Sequence, residues 1–235
     1  MKKLLFALIQ LSSASLFAQS PTPNFKIQVI DNQISIGYGL AIGDVDGDQR
    51  KDILLADQKE IVWYRNGDWK RFVMAANLTP KDNVCIAARD IDGDGRVEVA
   101  VGAMWNPAET KDITQSGAVF YLIRPKDPTQ LWEPVRLHHE ITTHRMRWAK
   151  VDKNKYQLIV APLHGLGNSN GEGVGVKLLA YDVPKNPKQA WPYHLIDSTL
   201  HITHNFEIWE DKDATRLLIG SKEGILHICM TYLDR

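Results

Sequence analysis

Cysteine is nearly absent: two residues, Cys85 and Cys229, in a chain of 235. They lie far apart in apolar, strand-like runs, so no disulfide framework is indicated and each is expected as a free buried thiol. Net charge is absent too, with 28 Lys and Arg against 28 Asp and Glu. Without a basic excess the sequence carries no electrostatic footprint for nucleic acid or an anionic membrane surface. Beyond the N-terminus no apolar run is long enough to span a bilayer as a helix. No helical periodicity persists over about twelve residues anywhere.

What is present begins with a leader. Lys2 and Lys3 precede the apolar run Leu4–Leu11, and small residues lead to Phe17-Ala18-Gln19. This reads as a secretory signal over residues 1–18, cleaved after Ala18. The mature chain, 19–235, is expected to be exported, periplasmic or secreted, with no lipid anchor and no membrane span.

Self-similarity organises the rest. The stretch GDVDGDQRKDILLA returns as RDIDGDGRVEVAVG, then in weaker form as KVDKNKYQLIVAP and EDKDATRLLIGS. The equivalent residues Asp46, Asp92, Asp152 and Asp211 fall at intervals of 46, 60 and 59. Each repeat holds up to four short β-branched or aromatic runs bounded by Gly, Pro, Asp and Asn, which read as strands. Four strands per repeat of about 40–60 residues predict an all-β fold, a β-propeller of four-stranded antiparallel blades. The repeats cover about residues 37–74, 83–137, 143–197 and 203–232. The last lacks its fourth run, and Phe25–Asp31, FKIQVID, is expected to supply the outer strand that closes it. The array is then a four-bladed ring or part of a larger propeller.

The acidic loops have the spacing D-x-D-x-D-x-x-x-D. Alternate oxygens in a tight loop suit a hard cation that takes six to eight oxygen ligands. Asp44, Asp46, Asp48 and Asp52, with the Arg50 carbonyl, form one expected Ca2+ loop. Asp90, Asp92, Asp94 and Glu98, with the Arg96 carbonyl, form the second. The third and fourth copies have lost too many carboxylates and read as plain turns.

Histidine is clustered: of eight, all but His227 lie between residues 138 and 204. Aligned on the repeat aspartates, Tyr38, Val84, His144 and His204 occupy one register, at the start of each blade's first strand. His144 and His204 are therefore expected to converge at the mouth of a central channel, with His164 nearby. These three are the candidate metal ligands or acid–base groups, for Zn2+ or another divalent metal. His139 and His201 are secondary candidate ligands. Tyr38 and Arg145 are candidate substrate contacts.

The acidic loops resemble those of FG-GAP/VCBS repeat propellers, and that resemblance implies a structural Ca2+ between the first two strands of a blade. A second resemblance rests on GYGLAIGDVDGD, ILLADQKEIVWYRNGDW, HHEITTHRMRW, APLHGLGNSNGEGVGVKLLAY and LHITHNFE. Together these look like the propeller of aldos-2-ulose dehydratase-type proteins. It implies a seven-bladed propeller whose centre binds a metal and removes water from an oxidised sugar. This chain departs from that pattern in having about four repeats and no cupin segment. The leading expectation is a Ca2+-stabilised propeller with a His-rich site acting as a sugar dehydratase or lyase on a sugar or polysaccharide-derived ligand. The rivals are a non-catalytic, Ca2+-dependent carbohydrate- or protein-binding module and a shortened, inactive remnant. Oligomeric state is not set by the sequence.

Overall fold

The computed structural model describes residues 23–231, so the leader expected over 1–18 lies outside the described residues. Residues 23–32 carry no strand and belong to a separate unit from the remainder, which begins at Gln33. From Gly39 onward the described chain is built of antiparallel sheets, without a helix.

The first sheet is β1 (Gly39–Gly43), β2 (Asp52–Ala56), β3 (Glu60–Tyr64) and β4 (Arg71–Ala76). The second is β5 (Cys85–Arg89), β6 (Glu98–Ala103), β7 (Ala118–Ile123) and β8 (Glu133–Leu137). The third is β9 (Thr143–Asp152), β10 (Lys155–Pro162), β11 (Leu178–Asp182) and β12 (Tyr193–Asp197). The fourth is β13 (Thr203–Glu210), β14 (Ala214–Ser221) and β15 (Gly224–Thr231). Strand order follows chain order within each sheet, and the first strands β1, β5, β9 and β13 pack in succession. These are blades of a β-propeller, in the phase that the repeats predict.

One expectation is corrected here. Among the described residues the fourth sheet has three strands, and Phe25–Asp31 forms none, with Phe25, Ile27 and Val29 exposed. The alternation in FKIQVID shows competence to be a strand, but a strand forms only where a ladder partner accepts it.

Packing lies between blades. Leu54, Trp63 and Met74 of the first meet Ile86, Val99, Val101 and Phe120 of the second. Ala100, Val119 and Tyr121 meet Trp148, Leu158 and Tyr181. Ile159, Ala161 and Leu178 meet Phe206, Leu217 and Ile219. Because successive side chains of a strand point to opposite faces, β6 feeds two cores at once and all its residues are buried. The end blades show the contrast: Leu40 and Ile42 of β1 are each 68% exposed. Cys85 is buried as expected, but Cys229 is free and exposed, because its position on β15 falls on the face away from the third core.

Side-chain latches tie the first blade to the second and the third to the fourth. The Asn83 side chain donates to the Asp57 carbonyl at 2.9 Å, and the Thr203 hydroxyl donates to the Pro162 carbonyl. Thr215 Oγ1 donates to the Lys150 carbonyl at 2.5 Å. Two matched turns, PKDPTQLW and PKNPKQAW, sit ahead of the outer strands. In each the buried indole donates to the same proline carbonyl: Trp132 to Pro128 at 3.1 Å, Trp191 to Pro187 at 3.0 Å.

Gly117 shows how closely the second and third blades meet. Its φ is +87°, and a Cβ there would stand 2.4 Å from the Glu140 carbonyl oxygen and 3.1 Å from the Thr142 nitrogen. Both costs fall on backbone that cannot swing aside. Gly117→Ala is expected to lower unfolding free energy by about 1–3 kcal/mol, measured as a shift of the urea midpoint at unchanged slope.

Candidate functional site

The two acidic loops are superimposable in their hydrogen bonds. In the first, Asp44 accepts from the Gly47 and Gln49 amides at 2.7 Å each, Asp46 from Asp48 at 3.2 Å, and Asp48 from Arg50 at 2.8 Å. In the second, Asp90 accepts from Gly93 and Gly95 at 2.7 and 3.0 Å, Asp92 from Asp94 at 3.0 Å, and Asp94 from Arg96 at 2.8 Å. Gly47 and Gly93, at φ +85° and +83°, permit the turn.

Each loop brings one oxygen from each of three carboxylates within 4.8 Å of the others: Asp44, Asp46 and Asp48, then Asp90, Asp92 and Asp94. Oxygens sharing one Ca2+ at about 2.4 Å can be no further apart than that, so the donor sets fit a hard cation. Asp52 and Glu98 stand outside these triplets. Asp52 accepts from Val45 and Asn66 amides at 2.8 Å each, and Glu98 from the Ile91 amide at 3.0 Å. Burial raises the Asp52 carboxyl above its ordinary range. Burial, with the charges of Asp92 and Asp94 behind it, pushes Glu98 up to about 7.

Arg50 and Arg96 contribute guanidinium groups as well as backbone. Arg50 Nε donates to Asp48 at 2.8 Å, and Asp94 is paired with Arg96 at 2.9 Å and Arg124 at 2.6 Å. The Arg50 side chain and amide hold the Asp48 carboxyl below its usual value. Mutual repulsion in these loops is therefore relieved in part by cations the chain itself supplies. Among the described residues, the third and fourth copies make no comparable cluster. Asp152 closes a two-residue turn against Lys155, and Asp211 pairs with Arg216.

The histidines divide into two sets. His144 and His204 meet with ring centroids 5.0 Å apart, nearly edge-on, and Trp105 stacks on His144 at 4.8 Å. His164 follows β10 and is fixed through its backbone, its amide donating to the Thr142 hydroxyl at 2.9 Å. His139 lies against the Ile113 carbonyl at 3.1 Å, and His201 pairs with Glu223 at 2.7 Å. Tyr38 is exposed ahead of β1, with no hydrogen bond or ring contact to these imidazoles among the described residues.

His144 is 5% exposed; its Nε2 and Nδ1 of His164 make no hydrogen bond of good geometry, and the backbone of His204 favours the protonated form of the one ring, that of His201 the other. Arg145 Nη1 lies 3.2 Å from His144 Nδ1. A guanidinium only donates, so Nδ1 accepts and the proton of the neutral ring sits on Nε2. Burial above all, then the charge of Arg145 and the neighbouring histidines, lowers His144 to about 3. The ring is thus a neutral donor. A metal at Nε2 would need the other tautomer, which Arg145 opposes. No group of three imidazole nitrogens converges to ligand distances among the described residues. The histidines therefore do not fit a preformed Zn2+ site, and no chemistry is derived through one.

The four first strands also line a cavity of about 460 Å3, among them Leu40, Ile86, Arg89, Arg147, Ile208 and Glu210. Arg89 spans from β5 to Glu210 of β13 through two contacts at 2.5 and 2.8 Å.

Residues 15–101 match the FG-GAP-like repeat. No curated protein matches the chain.

The depressed His144 gives a signed pH dependence. Its folded pKa of about 3 lies below the ordinary 6.5, so the unfolded chain takes the proton first as pH falls. Its contribution is whole above 6.5 and is lost between 6.5 and about 3, by at most about 1.4 kcal/mol per pH unit. His144→Asn should therefore be more destabilising at neutral than at mildly acidic pH, as read from urea midpoints. A cost that is flat with pH would contradict the assignment.

Proposed function

We propose that this chain is an exported, Ca2+-stabilised β-propeller module that recognises an oxygen-rich ligand of sugar type at the His144–His204 mouth. The observation that carries it is the pair of matched loops, each converging three carboxylate oxygens within 4.8 Å. Recurrence of one geometry in successive blades favours a cation held for the repeat. Ca2+ would tie the end of a blade's first strand to the start of its second and displace the guanidinium from Asp48 or Asp94. Export supports the choice of ion, since extracellular modules bind Ca2+ at about 0.1–1 mM.

For the ligand, the support is chemical. Arg145, His144 and exposed His204 offer donors beside an aromatic face, Trp105, which suits hydroxyl and carbonyl oxygens on an apolar ring. A second reading, elimination of water from an oxidised sugar, is favoured by the neutral His144 ring, whose Nε2 carries the proton and makes no hydrogen bond of good geometry. That group is placed to polarise a carbonyl oxygen. His204, exposed, would remove the adjacent carbon-bound proton while hydroxide leaves from the next carbon and takes up a proton as water. His204 packs over His144, so its ring has to swing aside for a ligand to reach Nε2.

Ca2+ at a hundred times its Kd should add about 2.7 kcal/mol to stability, seen as a higher melting temperature than in EGTA. Asp46→Asn with Asp92→Asn should abolish that increment. Equal melting with Ca2+ and EGTA would overturn the Ca2+ reading. For the ligand, NMR line broadening with 3-keto-sugars should vanish in His204→Ala, and enone absorbance would separate elimination from binding alone. Broadening that persists in the variant counts against this mouth as the site.

A further inference from the structure

The arginines of the first strands are compensated unequally. Arg89 of β5 is held by Glu210 of β13 at 2.5 and 2.8 Å. Arg147 of β9 faces Glu207 of β13 at 3.8 Å. Both pairs line the cavity of about 460 Å3. Arg145, two residues ahead of Arg147 and next to His144, differs. Among the described residues its polar contacts are to His144, and no carboxylate forms an ion pair with it.

Register explains the difference. β9 and β13 meet at two levels with one offset of 60 residues, 144 to 204 and 147 to 207. At the first level the His144 and His204 rings are 5.0 Å apart, and at the second Arg147 faces Glu207. Arg145 lies between these levels, and the same offset carries it to Asn205, which is exposed. A neutral amide thus stands where a carboxylate would complete the series.

The contacts Arg145 does make leave one edge of it open. Its Nη1 donates to the His144 carbonyl at 3.0 Å and lies 3.2 Å from His144 Nδ1, which anchors the group. Nε and Nη2 form the edge that can give two parallel bonds to an oxyanion. They make no hydrogen bond among the described residues. The side chain is partly buried, and burial with the charge of Arg147 lowers the guanidinium from its ordinary value. The group acting the other way is the Cys85 thiol, itself pushed up to about 12 by burial and so uncharged at neutral pH. A cation drawn partly out of water without an opposite charge is costly, and a ligand anion removes that cost.

We propose that Arg145 is an oxyanion subsite of the His144–His204 mouth, and that the ligand is an acidic sugar carrying a carboxylate or a sulfate ester. This rests on the reading of that mouth as a sugar site and assigns the ligand its charge. The Nε and Nη2 edge takes two oxygens of the anion, and the two imidazoles beside it face the ring hydroxyls. Asn205 admits a negative charge that an acidic residue there would repel.

The test is a ligand-observed NMR titration of the full chain with three probe sets: galacturonate and glucuronate, the 6-sulfates of galactose and glucose, and the two neutral sugars. The better anionic set should bind about ten- to a hundredfold tighter than the neutral one, and which set wins separates carboxylate from sulfate. Its affinity should fall as NaCl rises from about 0.05 to 0.5 M, while that of the neutral sugars stays level. Arg145→Gln should bring the anions down to the wild-type affinity for neutral sugar. Asn205→Asp leaves Arg145 in place and supplies an internal carboxylate, so it should lose the same preference. Unchanged melting temperatures check that both variants fold. Anions that bind no better than neutral sugars overturn the subsite and leave the sugar mouth standing. A preference for anions that survives both substitutions overturns the subsite as well. Binding of none of the probes overturns the mouth and the subsite together.

Discussion

A β-sheet has two faces, and burying both demands a neighbour on each side. That constraint shapes the molecule more than any single bond. It makes β6 apolar along its whole length, since Val99 and Val101 serve one core while Ala100 serves the next. It explains why the first strands sit side by side, and why glycine stands where two blades touch. Gly43 gives way to the Val97 side chain, and Gly102 to Cys85 and Thr143. Large side chains in the interblade layers are affordable only because those strand positions stay small. The same constraint fails at the ends of the array, where Leu40 and Ile42 of the first blade and Leu218 of the fourth are left exposed.

Much of this was legible in the sequence because repeats act as a ruler. The acidic loop marks where one strand ends and the next begins, so four copies of it fix four pairs of strands without reference to propensity. The same ruler put His144 and His204 in one register, and the structure brings their rings to 5.0 Å. The matched turns PKDPTQLW and PKNPKQAW were equally legible and went unused, because attention to charge passed over a pattern carried by proline and tryptophan. Other features leave no local trace. Whether FKIQVID pairs depends on a partner strand, not on its own alternation. Which face of β15 holds Cys229 depends on the position of the third core. The guanidinium groups of Arg50 and Arg96 fold back onto carboxylates, where spacing alone pointed to their carbonyls.

The acidic loops illustrate how a cluster of like charges is tolerated. Backbone amides absorb much of the negative potential: Asp44 and Asp90 each accept from two, five-residue spans apart at most. Arginines absorb more, with Arg50 on Asp48 and both Arg96 and Arg124 on Asp94. A cation entering such a loop competes with these arginines for carboxylate oxygens. Its net contribution is therefore the difference between two pairings, smaller than a count of carboxylates alone would lead one to expect.

The central histidines carry a sharper lesson about protonation and role. Several imidazoles close together invite a metal, yet proximity does not decide which nitrogen is free. At His144 the decision falls to Arg145, whose donor occupies Nδ1. That leaves a neutral ring with its proton on Nε2, and burial keeps a second proton off well below neutral pH. A buried N–H with a poorly formed hydrogen bond costs stability, and this position carries that cost. His204 lies outside it, exposed and nearly edge-on to the buried ring, so two imidazoles in contact sit in opposite environments.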